Sequence, residues 1–238
     1  MNQKQHSIQE AYYKSFRNGG KIWVYPKLGG KRFRKPISWC TAESDFQSPS
    51  LEEVQSKIIE NQGIKAIWHL LKPGHLSEKQ YEILLGWIAL HLTRNQRARG
   101  TFFETNQDYE REFSAEFVRQ LAGLRSSYRV ADVWTCNSPA FLVTSDNPIV
   151  EFDVERGCKS ILILPISPSM FVQLSSDGER WQHEKLSVEE FVNAMIWELA
   201  FKYVFSDRDR VDITEYTETA ERFGFKPVLE TQSMPSPF

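Results

Sequence analysis

Five residues in the middle of the chain, Thr144-Ser145-Asp146-Asn147-Pro148, put two hydroxyls, a carboxylate and a carboxamide into one short turn. An apolar run over 140–143 precedes them, so a buried strand would hold Asp146 rigidly at its end, where a loop opens to solvent. Ser, Asp and Asn side chains fold back onto nearby backbone, and Pro148 restricts Asn147 to extended geometry. A well-made turn accounts for this composition; so does a general base or a ligand for a hard divalent cation.

Other polar residues fall where the fold does not obviously need them. Gln5-His6 stands just before the first helix, and a lone histidine there is either a satisfied structural residue or an acid/base group. Glu60 lies inside a long helix near its apolar stripe, although helix surfaces are rich in Glu. His91 and Arg94, three residues apart, share one helix face, which Arg97 continues. The helix dipole favours arginine at that C-terminus, but His and Arg together also suit a phosphate, because guanidinium binds oxyanions through two parallel bonds. Pro165-Ile166-Ser167-Pro168 closes a strand that is expected to end at the same sheet edge as the Asp146 turn. Asn193, on the last long helix, is a further buried-polar candidate.

Together these residues suggest hydrolysis of a phosphate-containing substrate, a nucleic acid or nucleotide. Asp146 serves as base or metal ligand and His6 as its acid/base partner, while Arg94 stabilises phosphoryl charge. Glu60 orients His6 or joins the metal shell. Gln5, Ser145, Asn147, His91 and Arg97 contact the substrate. A divalent metal held by Asp146, Glu60 and His6 is chemically reasonable, though no ligand spacing demands one. The basic arm Lys31–Lys35 is first of all explained by a solvated sheet edge protected by Lys and Arg, and, interleaved with Phe33, it can also follow a phosphate backbone. Two other classes compete. In a non-catalytic binding or regulatory protein, phage- or defence-related, the same residues form a buried structural network. A ligand-binding sensor shares the pocket but needs neither metal nor turnover.

The elements that must position these groups are legible from period and punctuation. A short helix over 7–16 ends at Asn18-Gly19-Gly20, and a hairpin follows, with arms at 21–25 and 31–35. Ser50 caps a long helix whose stripe includes Val54, Ile58, Ile59, Ile64, Ile67 and Trp68; Gly63 weakens it and Pro73-Gly74 ends it. Ser77 and Gln80 form a capping box for a second helix with Tyr81, Leu84, Leu85, Ile88 and Leu92 inward, and the two pack as an antiparallel pair. A third helix spans about 109–124. The period then becomes two, giving strands near 128–136, 140–144, 149–152, 161–165 and 170–174, with a turn at Asp177-Gly178. Ser187 caps a final helix expected over 188–204, with Tyr203 on its apolar face. With no repeat or linker, one α+β domain over 1–238 with a mostly antiparallel sheet is the economical reading, its tail after about 226 frayed.

Composition narrows the class. The 238 residues are 41% hydrophobic and 25% charged with a net charge of -2, as in an ordinary globular protein that is not a polycation. Three widely spaced cysteines give neither a disulfide framework nor a zinc motif. A polar start without a signal peptide and the absence of a long apolar span point to a cytoplasmic protein without a membrane partner. Oligomeric state is left open. Phosphate-binding loop, nucleophile elbow, zinc-protease and dinucleotide fingerprints are all missing.

In their order, these motifs resemble the bacterial and phage family catalogued as domain of unknown function 4238. Gln5-His6 matches its opening motif, Glu43-Ser44-Asp45-Phe46 its acidic-x-Asp-Phe pattern, and Ile59-Glu60 and Arg94 its two helix positions. Thr144 to Pro148 meets its strand-end signature in full, and Pro165 to Pro168 its Pro-Leu-Ser-Pro with Ile166 for Leu. Gln9 stands where the family usually has proline. The resemblance runs from Gln5 to about Ser206 and implies that these residues share one site. It implies no activity.

Overall fold

The computed structural model describes residues 5–6, 10–40, 42–43, 55–72, 75–94, 109–136, 141–153, 160–176, 181, 187–209 and 213–222. The expectations for Ser50, Val54, Pro73-Gly74, Arg97, Asp177-Gly178 and the tail lie outside them.

Alternation of apolar and polar residues yields antiparallel strands, which among the described residues form three sheets where one was expected. β1 (Gln5–His6) pairs with a short strand at Ala42–Glu43, which sets Gln5 opposite Glu43, the first residue of the Glu-x-Asp-Phe motif. Helix α1 (Glu10–Tyr13) tightens into a 3₁₀ turn at Lys14–Phe16 and leads to the hairpin β2 (Lys21–Pro26) and β3 (Phe33–Pro36). Gly19, Gly20, Gly29 and Gly30 carry positive φ at its two reversals, which side chains disfavour. After β3 come a one-turn helix α2 (Ile37–Cys40) and β4, the Ala42–Glu43 strand.

A π-helical run, Gln55–Glu60, opens α3 (Asn61–Leu70), and α4 (Glu78–Arg94) returns beside it. The two run in opposite directions, Glu60 meeting Arg94 and Gly63 meeting Trp87, so the expected antiparallel pair is present. The capping box at its second member forms as read, with Ser77 N–H donating to Gln80 Oε1 and Gln80 N–H to Ser77 Oγ. Gly63 is not a weak point. A Cβ there would come within 2.5 Å of the Trp87 side chain, so only glycine lets the helices approach this closely. The expected stripe of α3 is corrected at two residues: Ile58 and Trp68 are exposed, while Gln55 and Glu60 turn inward. Five residues advance an α-helix by about 140° beyond a full turn. At the wider π spacing of about 4.4 residues per turn the excess is about 50°, which keeps Gln55 and Glu60 on one face.

Helix α5 (Tyr109–Ser127) packs on α4, with Arg125 donating to Glu82 across the pair. Strands β5 (Val130–Thr135), β7 (Val150–Asp153), β8 (Ser160–Ser167) and β9 (Met170–Ser175) form one four-stranded sheet, ordered β5-β9-β8-β7. The stretch expected as a strand over 140–144 ladders only at β6 (Thr144–Ser145). Helix α6 (Val188–Leu199) begins with the expected Ser187 cap, completed by Glu190. It stops at Leu199, well before Val204: Ala200 is extended and the chain enters β10 (Tyr203–Ser206). Strands β3, β2, β10 and β6 make the third sheet, in that order. A last helix, α7 (Ile213–Arg222), packs on α6 and was not anticipated from the sequence pattern.

Two cores result, and the strands divide them. Leu162 and Leu164 of β8 join the core of Tyr12, Trp87 and Ile88, while Ile161 and Ile163 join that of Phe191, Val192 and Ile196. A strand buried on both faces reads as an unbroken apolar run, as Ile161–Leu164 does. The architecture is α+β, and no helix among the described residues is long and apolar enough to cross a membrane.

Candidate functional site

The Thr144–Pro148 turn lies where both cores and two sheets meet, and its polar side chains hold backbone. Asp146 Oδ1 accepts from Phe201 N–H at 2.8 Å, and Oδ2 accepts from Lys202 N–H at 2.8 Å and Tyr203 N–H at 3.2 Å. These are the N–H groups left over where α6 has ended and β10 is beginning. The carboxylate gathers them, which is why the helix stops early and Tyr203 lies in a strand. Asn147 Nδ2 donates to the last helical carbonyl, Leu199, at 2.9 Å, and Asn147 N–H donates to Ser145 Oγ at 3.0 Å.

Tyr12 and Tyr13 complete this network, and nothing in their spacing marked them out. Tyr12 donates its hydroxyl to Pro165 O at 2.5 Å, so its oxygen receives the Thr144 hydroxyl, 2.9 Å away. Tyr13 donates to Ser145 O at 3.0 Å and Ser15 to Ile166 O at 2.6 Å. The Thr144 turn and the Pro165–Ser167 end of β8 therefore meet through the first helix, but not at one sheet edge as expected: they belong to different sheets, and Pro165 to Ser167 lie within the strand. Burial pushes the Tyr12 hydroxyl pKa up, against a smaller downward pull from Thr144, which keeps the phenol a neutral donor. Asn193 is buried, as anticipated, and stands in for a missing strand: Nδ2 donates to Phe141 O at 2.8 Å and Oδ1 accepts from Val143 N–H at 2.9 Å.

The second group of candidates is buried as well, and Trp87 links it to the first, its ring lying against both His91 and Tyr12. Arg94 Nη1 meets Glu60 Oε1 at 2.5 Å, and Nε and Nη2 donate to Gln55 Oε1 at 3.1 and 2.6 Å. Arg94, Glu60 and Gln55 are each 2–3% exposed, and His91 is 5% exposed with its ring 4.0 Å from Trp87. Three of the five Arg94 N–H groups thus serve a carboxylate and a carboxamide of its own chain. Gln55 was missed because a 3.6-residue period cannot place it beside Glu60.

Gln5 and His6 are placed by backbone alone; their side chains, and all of Arg97, lie outside the described residues. Glu60 and Asp146 both face N–H donors, and no group of three or more His, Cys, Asp or Glu suited to a metal occurs among the described residues. Burial pushes the Cys40 and Cys136 thiols up to about 12, so neither is a nucleophile at neutral pH. The chain matches no family model, no curated protein and no solved structure.

Proposed function

We propose that this chain is a non-catalytic binding or regulatory protein whose polar motifs are a structural network. One observation carries the reading: both oxygens of Asp146 are engaged by three consecutive backbone N–H groups. A general base or metal ligand directs its oxygens at substrate or cation, whereas three of the roughly four acceptor sites of this carboxylate are taken by its own backbone. Asp146 instead sets the geometry of the α6–β10 turn. The test is incubation of the purified protein with single- and double-stranded RNA and DNA and with nucleotides, in several divalent metals, alongside Asp146→Asn. No turnover by the wild type, together with a less stable variant, is expected. Cleavage abolished in a variant that melts like the wild type would overturn the proposal.

A second reading, a hydrolase of phosphate-containing substrates, is favoured by one feature. The π-helical run turns Gln55 and Glu60 together toward Arg94, one turn after the buried His91 on the same helix, and such runs occur often at functional sites. In that case His91→Ala would abolish turnover while leaving the fold intact.

A further inference from the structure

Charge in this protein is unevenly distributed. Residues 11–42 hold eight of the 29 Lys and Arg and none of the 31 Asp and Glu, so the rest of an acidic chain surrounds one purely cationic stretch. The fold gathers this stretch into one region. Arg34 on the edge strand β3 donates through Nη2 to Asn18 O, tying the Arg17–Lys21 reversal to the outer arm of the hairpin. Lys14, Arg17, Lys21, Lys31, Arg32 and Arg34 are exposed. Arg32 pairs with Asp209, at 2.5 Å, on the rim.

Protection of a sheet edge requires a few cations but no aromatic rings. Here Trp39 stands at the end of the arm, 36% exposed, its ring 5.2 Å from Phe33 and 5.3 Å from Tyr203. Lys35 Nζ lies 5.7 Å from the Trp39 ring centroid and 5.9 Å from that of Phe33. Cations that follow a backbone beside an accessible aromatic ring are what single-stranded nucleic acid needs: phosphate neutralisation by the former, base stacking on the latter.

We infer that the β2–β3 hairpin and Trp39 form a binding surface for single-stranded nucleic acid. This surface adjoins the Asp146 network through Tyr203, whose ring faces Trp39 and whose N–H donates to Asp146, but it does not depend on whether that network turns anything over. An exposed Leu28 at the hairpin tip also suits an anionic bilayer, but it is a single apolar residue, whereas Trp39 at the other end of the arm leaves part of its ring open to a base beside Phe33 and Tyr203.

The experiment is fluorescence anisotropy of labelled oligo(dT) and oligo(rU), about 15 nucleotides long, between about 50 and 200 mM salt. Expected is binding that weakens linearly in log–log salt. Lys21→Ala/Lys31→Ala should weaken it and flatten the slope by about 0.7 for each phosphate that is no longer neutralised. Trp39→Ala should weaken it about 5- to 100-fold at unchanged slope, since stacking releases no counterion. Absence of binding at the lowest salt, equal binding by the charge variant, or binding to phosphatidylserine vesicles without binding to the oligonucleotides would each overturn the inference. The same strands, run on a gel afterwards, report cleavage. Cleaved but bound strands would overturn the non-catalytic reading and leave this surface standing.

Discussion

Replacing Asp146 by alanine should unfold the protein more readily, by an amount that follows from three hydrogen bonds. Hydrogen bonds to a charged group contribute about 1.5–3 kcal/mol each, and a stranded buried N–H costs about 1–3 kcal/mol. Lys202 is exposed, so water can replace the carboxylate at its N–H, whereas Phe201 and Tyr203 are half-buried. Two of the three bonds therefore set the cost, which comes to about 2–5 kcal/mol. That is a large part of the roughly 5–15 kcal/mol typical of a domain. Asp146→Asn should cost less, about 1–2 kcal/mol, because its remaining oxygen still serves Lys202 and Tyr203 while its amino group faces Phe201 N–H. Urea denaturation gives both values, with the slope expected to stay unchanged because the surface exposed on unfolding is the same. Asp146→Ala within about 0.5 kcal/mol of the wild type would refute the argument.

Gly63→Ala offers a test of opposite signs: helix propensity alone predicts a gain of about 1 kcal/mol, but the clash with Trp87 predicts a loss of about 1–3 kcal/mol, read as a lower melting temperature. Arg94→Met leaves Glu60 buried without its cation and should cost about 3–5 kcal/mol, much of it recovered in Glu60→Met/Arg94→Met when both are measured by denaturant unfolding. Glu116 depends on pH. The Arg119 hydrogen bond, opposed by burial and aided by Gln120, holds its carboxyl below the usual range. A lowered folded-state pKa stabilises above the unfolded value and is lost as pH falls through the folded one. Glu116→Gln should therefore melt below the wild type at pH 7, and the gap should close in acid.

Local signals were enough for much of this fold. Ser77 with Gln80 and Ser187 with Glu190 announce helix starts, because each box lies within four residues. The end of α6 escapes such signals because its terminator, Asp146, lies 55 residues upstream of the N–H it binds. Nothing between Val188 and Tyr203 carries that information, and Tyr203 fits a helical stripe as well as a strand. The Asp146 turn itself was visible as composition, but its partners Tyr12 and Tyr13 were not, since their role comes from groups 132 or more residues away. Gln55 and Glu60 show a different failure: a five-residue phase belongs to no regular period that a sequence pattern tests.

The pairing of β2 with β10 also bears on synthesis. Tyr25 of β2 waits for Val204 of β10, so the hairpin emerges from the ribosome long before its inner neighbour exists. At translation rates of about 5–20 residues per second, the delay is roughly 10–40 s. For that interval one edge of β2 has no ladder partner, although many core neighbours of Ile22 and Val24, among them Tyr12, Ile64 and Trp87, are made well before it ends. The nascent chain must pass through a stage in which its first half is made but this sheet cannot be completed until residues 203–206 arrive.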